Sequence, residues 1–334
     1  MNIDQLQSKT IDYLRFPLAF LVVFIHANKP VGINIQSIDF LSLSGNDIYN
    51  ILSILIQRVI SGISVPTFFF ISGFLFFYKV EGWDKQVYFT KLKSRLKTLF
   101  IPYLAWNAIV LCLSAGKGLY IYFTSGEVNH ILDQLTTFTG WLKPFWNQSQ
   151  YGPVEGTFGN EFYLTYPYNG PFWFIRDLIM MCLISPLVYL VVRYTKVFGL
   201  LILAFCLFTN FWFNVSGLGI EACFYFTAGA YFSINKHNIV EQAGKVKVPA
   251  VIVALIAMFF ASYGTPESWG FTIPIRQSMI VFIIAGGITA INITANLLEK
   301  EKIRVNDLLS KASFMIFAAH GLVISIVAPL FGFI

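Results

Sequence analysis

The chain has 334 residues and a formal net charge of +6, with 56% hydrophobic and 12% charged residues, among them 35 Phe, 16 Tyr and 7 Trp. Soluble domains carry roughly 25% charged residues, so this chain lacks much of the polar surface that facing water requires. The balance excludes a soluble enzyme, no nucleic-acid partner is expected, and membrane lipid is the expected surrounding. A bilayer-spanning helix needs about 20 mainly apolar residues. In chain order, Ile11–Asn28 is the first candidate and contains Asp12 and Arg15. Val59–Tyr78 and Thr98–Gly116 follow as long runs free of Asp, Glu, Lys and Arg, then Gly170–Val192, which carries Arg176 and Asp177. Val197–Ile220, the short Ala222–Asn235, Val248–Pro266, Gln277–Leu298 and Ala312–Ile334 complete the series. The segment from Lys117 to Gly170 is less apolar and leaves room for one more helix or a re-entrant piece. The expected fold is therefore an all-α, polytopic transmembrane bundle of about nine to ten helices.

Lys and Arg set the orientation. With a cytoplasmic N-terminus, the run Lys91, Lys93, Arg95, Lys97 and most other cations fall on the inner side, leaving Lys29, Lys117 and Lys143 outside. Cytoplasmic loops retain Lys and Arg during insertion, which supports that orientation. The apolar start carries Asp12 and Arg15 and ends without a small-x-small cleavage pattern, so it is expected to stay as the first helix. No linker divides the chain, and residues 1–334 are expected to form a single integral-membrane domain. Cys112, Cys182, Cys206 and Cys223 lie in apolar runs without metal-ligand or disulfide spacing, so no metal is expected.

An ionisable group in hydrocarbon costs about 2.5–3.5 kcal/mol, so it generally has a partner or a task. Arg15 and His26 are eleven residues apart, roughly 16 Å of helical rise and about 20° past three full turns, which places them on one face. Asp12 lies three residues before Arg15 and can pair with it. Pro17 frees the carbonyl of Tyr13 beside Arg15. The arrangement reads as a polar stripe running inward to His26. The competing reading has Arg15 snorkelling to headgroups and His26 bonded to a neighbouring helix.

The run from Ile11 through Arg15 to His26 resembles the opening of the acyltransferase type 3 family, bacterial membrane O-acyltransferases marked by Arg/Lys-x10-His in the first helix. Val65 to Phe74, ending Ser72-Gly73-Phe74, is similar to that family's Phe-Phe-x-x-Ser-Gly-Phe segment. Arg95 to Pro102 is similar to its basic stretch before a proline, although Thr98 stands where the family commonly has a second arginine and Lys97 adjoins it. Phe172-Trp173-Phe174 and Ser313-Phe314 through His320 resemble its fourth and last helices, so the resemblance runs in order over nearly the whole chain.

The resemblance implies a multi-pass enzyme of the inner membrane that moves an acyl group, usually acetyl, from cytoplasmic acetyl-CoA or another acyl-CoA to a hydroxyl. The acceptor it implies is a surface glycan or lipid-linked saccharide. Histidine, with an ordinary pKa near 6.5, suits removal of the hydroxyl proton, and His26 is expected to act as the neutral base, with Arg15, about three turns away, placed to meet donor phosphates or pantetheine carbonyls near the inner surface. Arg95, Lys97 and Lys93 are candidates for the donor phosphates, while positive-inside bias alone also predicts such a loop. Arg58 and Ser72 are possible deeper partners, with tight small-residue packing as the alternative for Ser72 and Gly73. Trp173, Arg176, Asp177, Glu221 and Arg276 fall toward the outer leaflet and are candidates for the acceptor side. The other outer aromatics, such as Tyr120, Trp141 and Trp146, suit stacking on sugar rings in an acceptor groove, while an interfacial belt explains them without a ligand. His320 could orient another polar group or simply bond within the core. The competing function is a carrier or exporter of polysaccharide, for which duplicated halves and matched helix breaks are expected and neither is visible. Nothing in the sequence sets an oligomeric state.

Overall fold

The structure is a computed structural model that describes residues 1–27, 42–155, 161–213, 215–265 and 272–330. Asn28, Lys29, Pro266 and the last four residues, which the sequence reading used, lie outside the described residues. The fold is mostly helical. Helix α1 spans Ile3–His26, α2 spans Gly45–Phe77, and α3 spans Lys85–Ser125. Two short helices follow, α4 at His130–Gln134 and α5 at Phe138–Leu142. They lead to an antiparallel hairpin of β1, Ser149–Glu155, and β2, Glu161–Tyr166. Helices α6 (Trp173–Leu183), α7 (Ser185–Thr195), α8 (Val197–Thr209) and α9 (Ile220–Ile234) come next. The chain closes with α10 (Ile239–Lys245), α11 (Lys247–Tyr263), α12 (Ile275–Glu299) and α13 (Asp307–Leu330).

Among the described residues, four helices are long and apolar enough to cross a membrane, or six if each of two bent pairs is one span. Prolines produce both bends. Between α6 and α7 the axis turns by 65°. Pro186 has no N–H for the carbonyl of Cys182, and the Ser185 hydroxyl donates to that carbonyl instead at 2.7 Å. Between α10 and α11 the turn is 76°, just ahead of Pro249, which leaves the carbonyl of Lys245 without its helical donor. The run Val197–Ile220 does not form one long helix. It stops after 13 residues at Asn210, whose left-handed backbone (φ 54°) ends α8. The segment after α3, where a further helix had room, holds the two short helices and the hairpin rather than a span.

The chain divides into two compact units, one of residues 1–71 with 235–334 and the other of residues 72–234. In the first, α11 turns a row of small residues, Ala250, Ala254, Ala257 and Ala261, into the core, where Val59, Ile63, Phe282 and Ala285 pack against it. Small side chains let the helix axes approach closely. The start of α1 is fixed by an Asn2 and Gln5 capping box and by the Gln7 side-chain Oε1, which accepts from the Ile239 N–H at 2.6 Å. Ahead of Pro66, α2 departs from regular geometry with a wide turn at Ile54–Val59 and a tight one at Ile60–Ile63. The Ser61 hydroxyl donates five residues back to Ile56 at 2.6 Å, a spacing that suits the wide turn.

In the second unit an aromatic cluster of Phe76, Phe77, Trp83, Tyr189 and Phe226 forms the core around the end of α2. Gly73 meets α9 there with no room for a side chain, since a Cβ would lie 2.0 Å from the Phe226 carbonyl oxygen. Gly73→Ala is expected to cost about 1–3 kcal/mol by forcing the backbones apart. Gly82→Ala, where a Cβ meets nothing within 4 Å, serves as the neutral control in thermal unfolding of detergent-purified protein.

Candidate functional site

The buried stripe of α1 follows helical spacing through Gln7, Ile11, Leu14, Leu18 and Val22. Arg15 and His26 lie on its flank, about 60–80° from its centre. His26 is the last residue of α1, exposed, and its ring neighbours that of His320 on α13 with centroids 5.1 Å apart and planes tilted by 39°. His320 is buried, and its Nδ1 lies 2.6 Å from the Phe317 carbonyl oxygen. Its Nε2 is buried without a hydrogen-bond partner among the described residues.

At the other end of the same row, Arg15 pairs with Asp12 at 3.0 Å, with more than a third of each side chain open (36% and 38%). The polar stripe expected between Arg15 and His26 is interrupted. Ala19 and Val22 fill the two intervening turns and are fully packed, because α1 lies against α12 and α13 along that row. Arg15 and His26 therefore sit at opposite ends of an apolar strip instead of lining one polar path. Arg58 lies on the wide turn of α2 with its side chain exposed, and Arg276 is an exposed residue at the start of α12.

In the second unit, Arg176 and Asp177 form a buried ion pair in α6. The guanidinium gives Nε and one Nη to Asp177 Oδ1 at 3.0 and 2.8 Å. Its other Nη donates to the carbonyls of Trp146 and Thr165 and to the Thr165 hydroxyl, at 2.9, 3.0 and 3.1 Å. The second Asp177 oxygen accepts from the Gly219 N–H at 3.3 Å. These groups tie the hairpin region and the turn before α9 to α6, so the pair works as a clamp on the protein's own backbone. The sequence reading missed Trp146, Thr165 and Gly219 as its partners, which lie up to 42 residues away along the chain. Trp173 opens α6 half-buried, and Glu221 is exposed in the first turn of α9.

The basic run from Lys91 to Lys97 divides. Lys93 and Arg95 line a groove of about 630 Å³ whose other walls are apolar, including Phe89, Leu92, Leu96 and Phe100. Arg95 is held there over the Phe76 ring at 5.8 Å. Lys97, in the wide turn before Pro102, is exposed and does not line the groove. Lys91 lines a separate polar pocket with Lys79, Glu81 and Asp84. Ser72 is half-buried beside Gly73 in the second unit.

A family model described as an acyltransferase domain, acyltransferase 3, matches residues 8–334. The chain belongs to the acyltransferase 3 family. Membership places it among proteins described by an acyltransferase domain, and its apolar helices make it a multi-pass membrane protein. It is similar to the succinoglycan biosynthesis protein ExoH of Rhizobium meliloti (strain 1021), at 30% identity over 236 residues, 70% of this chain and 55% of ExoH. The alignment thus spans little more than half of that relative's length. No solved structure matches the chain. In this family member, the match from residue 8 onward takes in both the first-helix histidine and the last-helix histidine that the fold sets ring to ring.

Proposed function

We propose that this acyltransferase moves an acyl group, acetyl in the simplest case, from cytoplasmic acyl-CoA to a hydroxyl of a cell-surface or lipid-linked glycan, with His26 as general base. The similarity to a succinoglycan biosynthesis protein supports a glycan acceptor. The observation that carries the reading is His26 itself, an imidazole open on one side and backed by a second imidazole on the other, at the end of an otherwise apolar helix. In the reaction, His26 takes the hydroxyl proton as the oxygen attacks the thioester carbonyl. The acyl–sulfur bond then breaks, and the proton passes to the departing thiolate.

Lys93 and Arg95 suit the phosphates of the donor, and the apolar walls of their groove suit its uncharged arm. Arg15, paired with Asp12, serves the inner end of α1 rather than the reacting atoms. Adding α1, α8 and α9 to the six spans gives nine crossings, with the N-terminus in the cytoplasm and the protein in the inner membrane; the distribution of Lys and Arg supports this.

The test is transfer of labelled acetyl from acetyl-CoA to an oligosaccharide acceptor by the purified protein in lipid bilayers. His26→Ala should abolish most of the transfer, and a rate equal to the parent's would overturn the assignment. For the donor groove, Arg95→Gln should raise the KM for acetyl-CoA about tenfold or more while kcat changes little, as expected when a charge-assisted contact is lost. Arg95→Lys should recover part of the effect. An unchanged KM in Arg95→Gln would remove the groove from the donor site.

A further inference from the structure

We infer that His320 is a positioning residue, one that accepts an N–H from His26 and so selects the tautomer in which His26 works as a base. This rests on the assignment of His26 as base and extends it to a second helix.

The geometry of His320 restricts what it can do. Its Nδ1 lies 2.6 Å from the carbonyl oxygen of Phe317, and a carbonyl only accepts, so Nδ1 carries the hydrogen. A neutral imidazole then has its lone pair on Nε2. That atom is buried and has no donor among the described residues. A buried acceptor left unpaired costs about 1–3 kcal/mol, so it calls for a donor. The neighbouring imidazole is that of His26. Centroids 5.1 Å apart leave about 3 Å between two ring nitrogens that point at each other, a normal hydrogen-bond length, so the spacing accommodates a bond from His26 to Nε2.

The bond has a direction. His320 Nε2 can only accept, so His26 donates through one nitrogen and keeps the lone pair of the other for the acceptor hydroxyl. When His26 takes up the hydroxyl proton, the bond to His320 becomes charge-assisted and strengthens. The carbonyls at the end of α1 favour that positive charge as well. His320 is thus the third group that orients a base, and it never meets the substrate.

The experiment compares His320→Phe, which keeps ring bulk without an acceptor, with His320→Gln, whose amide oxygen can accept in place of Nε2. His320→Phe should lower kcat about 10–100-fold, the loss of one bond to a charged group, with both KM values within about twofold of the parent's. His320→Gln should recover most of that loss. Nitrogen-15 spectra of histidine-labelled parent protein should show His320 protonated at Nδ1 and bare at Nε2. The inference is overturned by a protonated Nε2 in the parent, by a parental kcat in folded His320→Phe, or by His320→Gln falling as far as His320→Phe. If His26→Ala is inactive while His320→Phe is fully active, the base assignment stands and only this inference falls. If His26→Ala is active, the base assignment itself fails.

Discussion

His26→Ala is expected to lower kcat by about 10²–10⁴-fold, the range that a positioned general base contributes. The fold should tolerate the change, because His26 closes α1 and is partly open, while the contacts that seat the helix lie further back at Leu14, Leu18, Ala19 and Val22. The loss should therefore appear in kcat, with KM for donor and acceptor near parental values and the unfolding temperature lowered only by the loss of the bond to His320, about 1–3 kcal/mol. His130→Ala, a substitution at an exposed position of the short helix α4, should transfer acyl groups at the parental rate. The comparison separates a chemical role from a general sensitivity to losing a histidine. Equal rates for His26→Ala and the parent would remove the base from the mechanism.

Arg176→Leu is expected to be the most destabilising of these substitutions, by about 3–5 kcal/mol, the range found when one partner of a buried ion pair is removed. Two losses combine. Asp177, 3% exposed, keeps only the Gly219 N–H as a partner, and the carbonyls of Trp146 and Thr165 lose their common donor. Asp177→Leu should cost a similar amount, because it strands the guanidinium. The double variant Arg176→Met with Asp177→Leu should be less damaging than the two single effects combined, since no buried charge is left alone. Thermal unfolding in detergent measures all three. A single Arg176→Leu that unfolds at the parental temperature would show that the clamp carries no load.

The sequence by itself determined that the chain belongs in a membrane, because too few charges among so many apolar residues leave no water-facing alternative. It also determined most helix positions, the ion pair within one turn of α1 between Asp12 and Arg15, and the family, because each depends on neighbours in the chain or on motifs in order. Local chemistry also marks Pro186 and Pro249, the prolines behind the two sharp bends, though the bends themselves were not anticipated. Two further results depended on partners remote in sequence. The packed strip between Arg15 and His26 comes from other helices pressing on Ala19 and Val22, which helical periodicity within α1 cannot reveal. The Arg176 clamp draws on Trp146, Thr165 and Gly219, whose contributions are largely backbone atoms that every residue carries and that leave no mark in the sequence. The meeting of His26 with His320 is of the same kind: each stands out as polar in an apolar helix, and only the packing of α1 on α13 makes them neighbours.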